Sequence, residues 1–251
     1  MGDFMSVNLE ERGRQANPRI LQWPMAAPDP LIDPVAREAL AWAHSARFLV
    51  TASRLHELPE PGLPEIAFVG RSNAGKSSAI NALAQHKRLA FASKTPGRTQ
   101  HINLFSVGPV DAPDALWADL PGYGFAAVER ESKQRWQAVM ADYLAQRQSL
   151  AGLVMLVDAR HGFTALDRQL LEYVWPRVAS GEVKLLALLT KADKINRRDS
   201  QRALQEAEHV LAQVATEHSD IGVALFSALS GQGLDDAAQT LRSWTTSNSS
   251  T

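Results

Sequence analysis

Gly70-Arg71-Ser72-Asn73-Ala74-Gly75-Lys76-Ser77 is the stretch on which the reading of this chain turns. It fits G-x-x-x-x-G-K-[ST], the spacing of a phosphate-binding P-loop. The apolar run Ile66-Ala67-Phe68-Val69 before it predicts a buried strand, and Ser78-Ala79-Ile80-Asn81-Ala82-Leu83 after it is helix-compatible. A glycine-containing strand-to-helix turn with a chance Lys-Ser would look the same in isolation. The motifs further along the chain separate the two readings.

A polyphosphate concentrates negative charge, and a loop of converging backbone N–H groups at a helix N-terminus answers it. On this reading Gly70, Arg71, Ser72, Asn73, Ala74, Gly75, Lys76, Ser77 and Ser78 wrap a nucleoside triphosphate. Gly70 and Gly75 permit torsions and close approach that a Cβ would obstruct. The Lys76 ammonium reaches the β- and γ-phosphates, and the Ser77 hydroxyl is an oxygen ligand for Mg²⁺.

From the P-loop onward, strand-like and helix-like segments alternate. Residues 102–107 and 115–119 read as a strand pair. Residues 153–158, 183–189 and 223–226 read as buried strands. Helices are expected over 130–148, 165–174, 198–215 and 234–244. The pattern predicts an α/β fold with a mixed, mainly parallel six-stranded sheet flanked by helices. Residues 48–51 suit either an edge strand or an ordered arm. Residues 1–45 read as a polar, Pro-rich, partly disordered extension holding one helix-compatible stretch, 35–45. Residues 46–245 form the main domain, and 246–251 a frayed tail.

In such sheets ligand loops gather at the carboxyl ends of the strands, so polar motifs should terminate the apolar runs. Asp119-Leu120-Pro121-Gly122 ends one run. Its carboxylate can hold Mg²⁺ and its Gly122 amide can meet a γ-phosphate, although an ordinary Asp-Leu-Pro-Gly turn is the plainer reading of those four residues alone. Thr190-Lys191-Ala192-Asp193 ends another and matches [NT]-K-x-D. A fixed Asp193 carboxylate can accept from guanine N1–H and its amine, a donor pair that adenine lacks. Thr190 stands where Asn is usual, and a hydroxyl supports the loop without both functions of an amide. Phe226-Ser227-Ala228 follows the last strand as a base loop. Between the P-loop helix and Asp119, Ser93–His101 forms a Pro-Gly-containing switch loop. Gly97, Arg98, Thr99, Gln100 and His101 are its nucleotide-contacting members. Thr99 is preferred over Thr95 as the Mg²⁺ and γ-phosphate sensor. The metal set is then Ser77, Thr99 and Asp119, and the chemistry rests on Lys76, Thr99 and Gly122. His101 and His161 read as loop residues without a chemical role.

The chain has 251 residues and no cysteine, which excludes disulfides, thiolate metal sites and cysteine nucleophiles. Lys and Arg number 26 against 27 Asp and Glu, so overall charge does not point to nucleic acid and only a local basic face could bind it. Candidates for that face are Arg71, Lys87, Arg88, Lys94, Arg98, Arg130, Lys133, Arg135, Arg197 and Arg198; an ordinary solvated surface explains them equally well. No signal peptide or membrane-spanning run is visible.

Taken in order, 70–78, 93–100, 119–124, 190–194 and the Phe226-Ser227 loop resemble the EngB (YihA/YsxC) family of bacterial GTP-binding proteins. The likeness covers roughly residues 48–245, and Val157–Gly162 shares it. The resemblance implies a Ras-like GTPase fold, Mg²⁺ and GTP/GDP as ligands, cytoplasmic location, and a part in assembling the large ribosomal subunit. It also implies a role in normal cell division and septation. A monomer that binds the large subunit or its rRNA is expected, with no membrane. Ras-like proteins carry a water-orienting Gln after the D-x-x-G glycine, and here Tyr123 stands there, so slow hydrolysis completed by a partner is expected. Asn73 occupies the place where potassium-activated GTPases carry Asn, so K⁺ is a candidate cofactor, while bracing of the loop explains Asn73 as well. The alternatives are a metabolic P-loop ATPase or kinase, and a GTPase coupled to RNA modification or membrane transport.

Overall fold

The computed structural model describes residues 33–90, 101–124 and 139–246, together with the backbone of 21–22. The strands are β1 (Leu21–Gln22), β2 (Arg47–Ala52), β3 (Glu65–Gly70), β4 (Ile102–Val107), β5 (Ala115–Asp119), β6 (Leu150–Asp158), β7 (Lys184–Thr190) and β8 (Ile221–Leu225). The helices are α1 (Pro34–His44), α2 (Lys76–Leu83), α3 (139–146), α4 (Ala165–Ala179), α5 (Arg197–Ala212) and α6 (Leu234–Thr246). The strands form one sheet in the order β1-β8-β7-β6-β3-β5-β4-β2. Neighbours from β1 through β5 pair in parallel. The β5–β4 and β4–β2 pairs are antiparallel.

Six strands were expected. Seven of five or more residues are present, and the two-residue β1 extends the β8 edge. The seventh is β2, the segment that suited either strand or arm. Its pairing with β4 slips between Phe48 and Val50, and Phe48 and Leu49 stay exposed. A bulged edge strand of this kind loses the clean alternation by which a strand is read from sequence.

Helices cover both faces of the sheet, and successive strand residues feed opposite layers. Ile66 and Phe68 of β3 join Trp117, Ile80 and Leu241 on the α1–α2–α6 side. Ala67 and Val69 join Leu144, Leu171 and Leu211 on the α3–α4–α5 side. Helix α1, expected within the extension, starts on an Asp33 cap with Pro34 at its first turn and buries Ala36, Ala39, Trp42 and Ala43. The Trp42 indole N–H donates to Asp114 at 2.7 Å, and Arg242 of α6 holds the other carboxylate oxygen at 2.7 Å while lying over the Trp42 ring. A Cβ on Gly152 of β6 would collide with the Trp244 indole, so α6 sits directly on the strand backbone there.

Helix α4 was expected to end at Val174 and runs on to Ala179 through Pro176. Proline removes one helical hydrogen bond, but the carbonyl it leaves belongs to exposed Glu172, where water can serve it.

At the start of β3, Glu65 is fully buried. Arg147 forks onto it with Nη2 at 2.6 Å and Nε at 3.0 Å, and the Tyr143 hydroxyl donates at 2.5 Å. Burial of the carboxylate is tolerated because its oxygens are satisfied. The opposite end of the same strand runs into the P-loop.

Candidate functional site

Strand β3 ends at Gly70, where a Cβ would stand 2.9 Å from the Leu156 carbonyl oxygen of β6. Gly75 adopts φ +94° as the residue before α2, a conformation that suits glycine, and Lys76 opens the helix. The chain thus turns from strand to helix N-terminus over 70–76, with the Ser72 N–H donating to the Tyr123 carbonyl and the Ala74 N–H to the Arg71 carbonyl.

The other motifs arrive at this loop through named contacts. The Lys76 ammonium pairs with Asp119 at the end of β5, both buried. Tyr123 pairs in parallel with Arg71: its N–H donates to the Gly70 carbonyl at 3.2 Å, and the Ser72 N–H donates to its carbonyl at 2.8 Å. Thr190, at the end of β7, donates its hydroxyl proton to the Ala74 carbonyl at 2.6 Å. Lys191, with φ +59°, donates to the Asn73 carbonyl at 2.6 Å and to Asp158 at 2.8 Å. Phe226 pairs by its backbone with Leu189 and Ala192, and the Ser227 hydroxyl donates to Asp193 at 2.7 Å. P-loop, D-x-x-G loop, base motif and base loop therefore occupy one end of the sheet in mutual contact.

The electrostatics suit ionised carboxylates. The Ser227 hydroxyl holds the Asp193 carboxyl below the usual carboxylate range, helped by Lys194. Burial alone would raise Asp158, but hydrogen bonds from Arg160 and Lys191 overcome it and hold that carboxyl low. Arg160 grips it with Nε at 2.9 Å and Nη2 at 2.7 Å. Tyr123 is different: burial and neighbouring Asp167 push its phenol far up, so it stays protonated. Its hydroxyl donates to Asp167 at 2.7 Å.

A divalent cation fits the donor set. Asp119 is 1 % exposed and its Oδ2 has no partner among the described residues, an orphaned buried oxygen that a metal or its water would satisfy. Ser77 lies on the first turn of α2. Among the described residues no three His, Cys, Asp or Glu cluster together; a hydroxyl and a carboxylate completed by phosphate oxygens match Mg²⁺.

Gly97, Arg98, Thr99 and Gln100 lie outside the described residues, as do Thr95, Lys94, Arg130, Lys133 and Arg135. His101 is described, and its ring nitrogen meets the Ser53 hydroxyl at 2.8 Å beside β2. His161 lines a cleft of about 550 Å³ flanking the P-loop with Arg71, Ser72, Asp158 and Asp167. Among the basic candidates, Arg197 and Arg198 open α5 just after the base motif, while Lys87 and Arg88 lie past the far end of α2.

Sequence reasoning gave no role to Asp158 and Arg160, which it met only within the family likeness of Val157–Gly162, and missed Asp167. Asp158 terminates an apolar run at a strand end, the same signal that found Asp119. Asp167 is legible as the last residue of a Thr164-x-x-Asp167 capping box, whose contacts the structure contains. Its partnership with Tyr123 carries no local signal.

Fold and site together define a P-loop GTPase. The model of the 50S ribosome-binding GTPase family matches residues 65–191. A probable GTP-binding protein EngB of Albidiferax ferrireducens is 54% identical over 206 residues, 82% of this chain and 96% of that protein. That of Acidovorax ebreus is 54% identical over 205 residues, 82% of this chain and 90% of that protein. The chain belongs to the EngB family of GTP-binding proteins. Solved structures share the fold at lower identity. A probable GTP-binding protein engB aligns with TM-score 0.53 and 20% identity, over 72% of this chain and 98% of that one. Era in complex with MgGDPNP and a segment of 16S ribosomal RNA aligns with TM-score 0.58 and 19% identity, over 76% of this chain and 60% of that one.

Proposed function

We propose that this GTPase is a slow, GTP-driven switch acting in the cytoplasm on assembly of the large ribosomal subunit, with normal cell division and septation depending on that supply. The observation that carries this reading is the tie between base motif and P-loop, Thr190 to Ala74 and Lys191 to Asn73, which holds the two loops together at one end of the sheet. The ribosomal target draws its support from the family matched over 65–191, described as 50S ribosome-binding. Residues 46–245 serve as the GTPase domain, preceded by the 1–45 segment whose helix α1 packs on α6, and followed by the 246–251 tail.

In this reading Asp193 accepts guanine N1–H and its amine, and the P-loop amides with Lys76 hold the phosphates. Lys76 leaves Asp119 for the β- and γ-phosphates when nucleotide enters. Ser77, Thr99 and Asp119 would hold Mg²⁺, which would supply charge neutralisation on the phosphate oxygens. The Gly122 amide meets the γ-phosphate. Asn73 is a candidate ligand for K⁺. Tyr123, with its hydroxyl committed to Asp167, does not replace a carboxamide, so intrinsic turnover is low and a partner completes the site. The target is tested by co-sedimentation with ribosomal subunits in GDP and in a non-hydrolysable GTP analogue. Retention on the large subunit with the analogue alone is expected, and equal behaviour in both nucleotides overturns the switch. The ATPase or kinase reading meets Asp193 as its obstacle, and competition of ATP against bound GDP tests it.

A further inference from the structure

We infer that Tyr123 and Asp167 form a positioning clasp that sets how tightly the site holds GTP relative to GDP. The inference rests on the guanine-nucleotide reading above and adds two residues to it.

The loop from Asp119 to Tyr123 is short and fastened at both ends. Asp119 closes β5 and pairs with Lys76. Tyr123 is held by its backbone to Gly70 and Ser72, and by its side chain to Asp167. Its ring is 5 % exposed and belongs to the core on the α3–α4–α5 side of the sheet. Asp167 is 2 % exposed and fully engaged: one oxygen takes the Tyr123 hydroxyl, and the other caps α4 through the Thr164 N–H at 2.7 Å and hydroxyl at 2.6 Å.

Gly122 sits between these fastenings. A Cβ there would stand 3.4 Å from both the Gly70 carbonyl and the Ser72 amide, so its backbone is laid against the P-loop with little room. Its amide is the group assigned to the γ-phosphate, and only GTP has that phosphate. Pre-placing the amide lowers the ordering cost of GTP binding and leaves GDP binding untouched. Burial and the Asp167 carboxylate keep the phenol protonated, so it donates across the physiological range. The hydroxyl that stands one residue past the γ-phosphate glycine therefore fixes the loop instead of orienting water.

Tyr123→Phe removes the donor and keeps the ring. Affinities for GDP and for a non-hydrolysable GTP analogue are measured on the full chain. The expected result is an analogue affinity about tenfold weaker, an ordinary size for coupling between sites, with GDP affinity within about twofold of the parent. Equal losses for both nucleotides, or no loss for either, overturn the clasp. Should Tyr123→Phe lose its fold by circular dichroism, Asp167→Asn and Asp167→Ala decide. Asn has one oxygen, for which the two Thr164 donors compete with the phenol, and Ala has none, so both should weaken analogue binding more than GDP binding; a parent-like ratio of the two affinities in both variants overturns the clasp. A parent protein that binds neither nucleotide instead overturns the guanine-nucleotide reading itself.

Discussion

The hydroxyl of Thr190 donates to the carbonyl oxygen of Ala74 at 2.6 Å, joining the base motif to the phosphate loop across 116 residues of chain. Thr190 is 3 % exposed, so this bond is made away from water. Thr190→Val keeps the shape and removes the donor. A loss of about 1–3 kcal/mol in stability is expected, the cost of a buried acceptor left without its donor. Affinities for GDP and GTP should fall together, because the loop contacts phosphates that both share. Chemical denaturation and fluorescent-nucleotide titration check this, and Thr190→Ser should retain most of the parent behaviour.

Asp193 is fixed by Ser227 and kept ionised. Asp193→Asn exchanges an acceptor for a donor at the guanine amine position. Preference should move from guanosine to xanthosine nucleotides, by tenfold or more given the penalty for unpaired polar groups. Competition between GDP and XDP measures it, and an unaltered preference for GDP would remove Asp193 from base recognition.

Asn73, at φ +65°, has its backbone carbonyl on Lys191 and leaves its side chain exposed at the lip of the cleft. If that amide helps to hold K⁺, GTP turnover in potassium should exceed turnover in sodium several-fold, and Asn73→Ala should erase the difference. Equal rates in the two salts for the parent protein leave Asn73 with a bracing role.

The buried Glu65–Arg147–Tyr143 group lies a full strand away from the P-loop, roughly 20 Å at the usual rise of a six-residue strand. Arg147→Ala leaves Glu65 buried and uncompensated. The expected cost is about 3–5 kcal/mol of stability in urea, with nucleotide affinity of the folded fraction unchanged. A change in affinity without a change in stability would contradict the placement.

Acid should unfold the protein partly through Asp158. Its carboxyl is held below the ordinary value against burial by Arg160 and Lys191. A carboxyl lowered in the folded state stabilises fully above its unfolded pKa, near 3.9, and that contribution is lost as pH falls through the folded value. Stability measured between pH 7 and pH 2.5 should be flat at first and fall below about pH 4. The fall should be shallower in Asp158→Asn. A parent curve identical to that of the variant would mean that the carboxylate contributes nothing.

Most of the sheet could be read from the chain because parallel strands buried on both faces are apolar runs ended by polar motifs. Val69 before the P-loop and Trp117 before Asp119 are cases of this rule. The same regularity failed at β2, whose exposed Phe48 and Leu49 follow no buried period. The helical character of 35–45 was visible in its alanines. Its docking was not, because Trp42 finds Asp114 and Arg242 far along the chain. Within the site, the motif residues were legible because phosphate and base chemistry restrict residue type at fixed spacing. Asp158 and Asp167 escaped because their roles come from partners brought near by the fold, Lys191 and Tyr123, and neither pair lies on one local pattern.

Because Gly152 offers no side chain, the Trp244 indole lies directly against that strand and fills the space beneath the end of the last helix. Anyone trimming the carboxyl end to obtain a smaller variant must stop after residue 244: one residue fewer uncorks the protein from its distal side, a whole strand's length from any nucleotide chemistry.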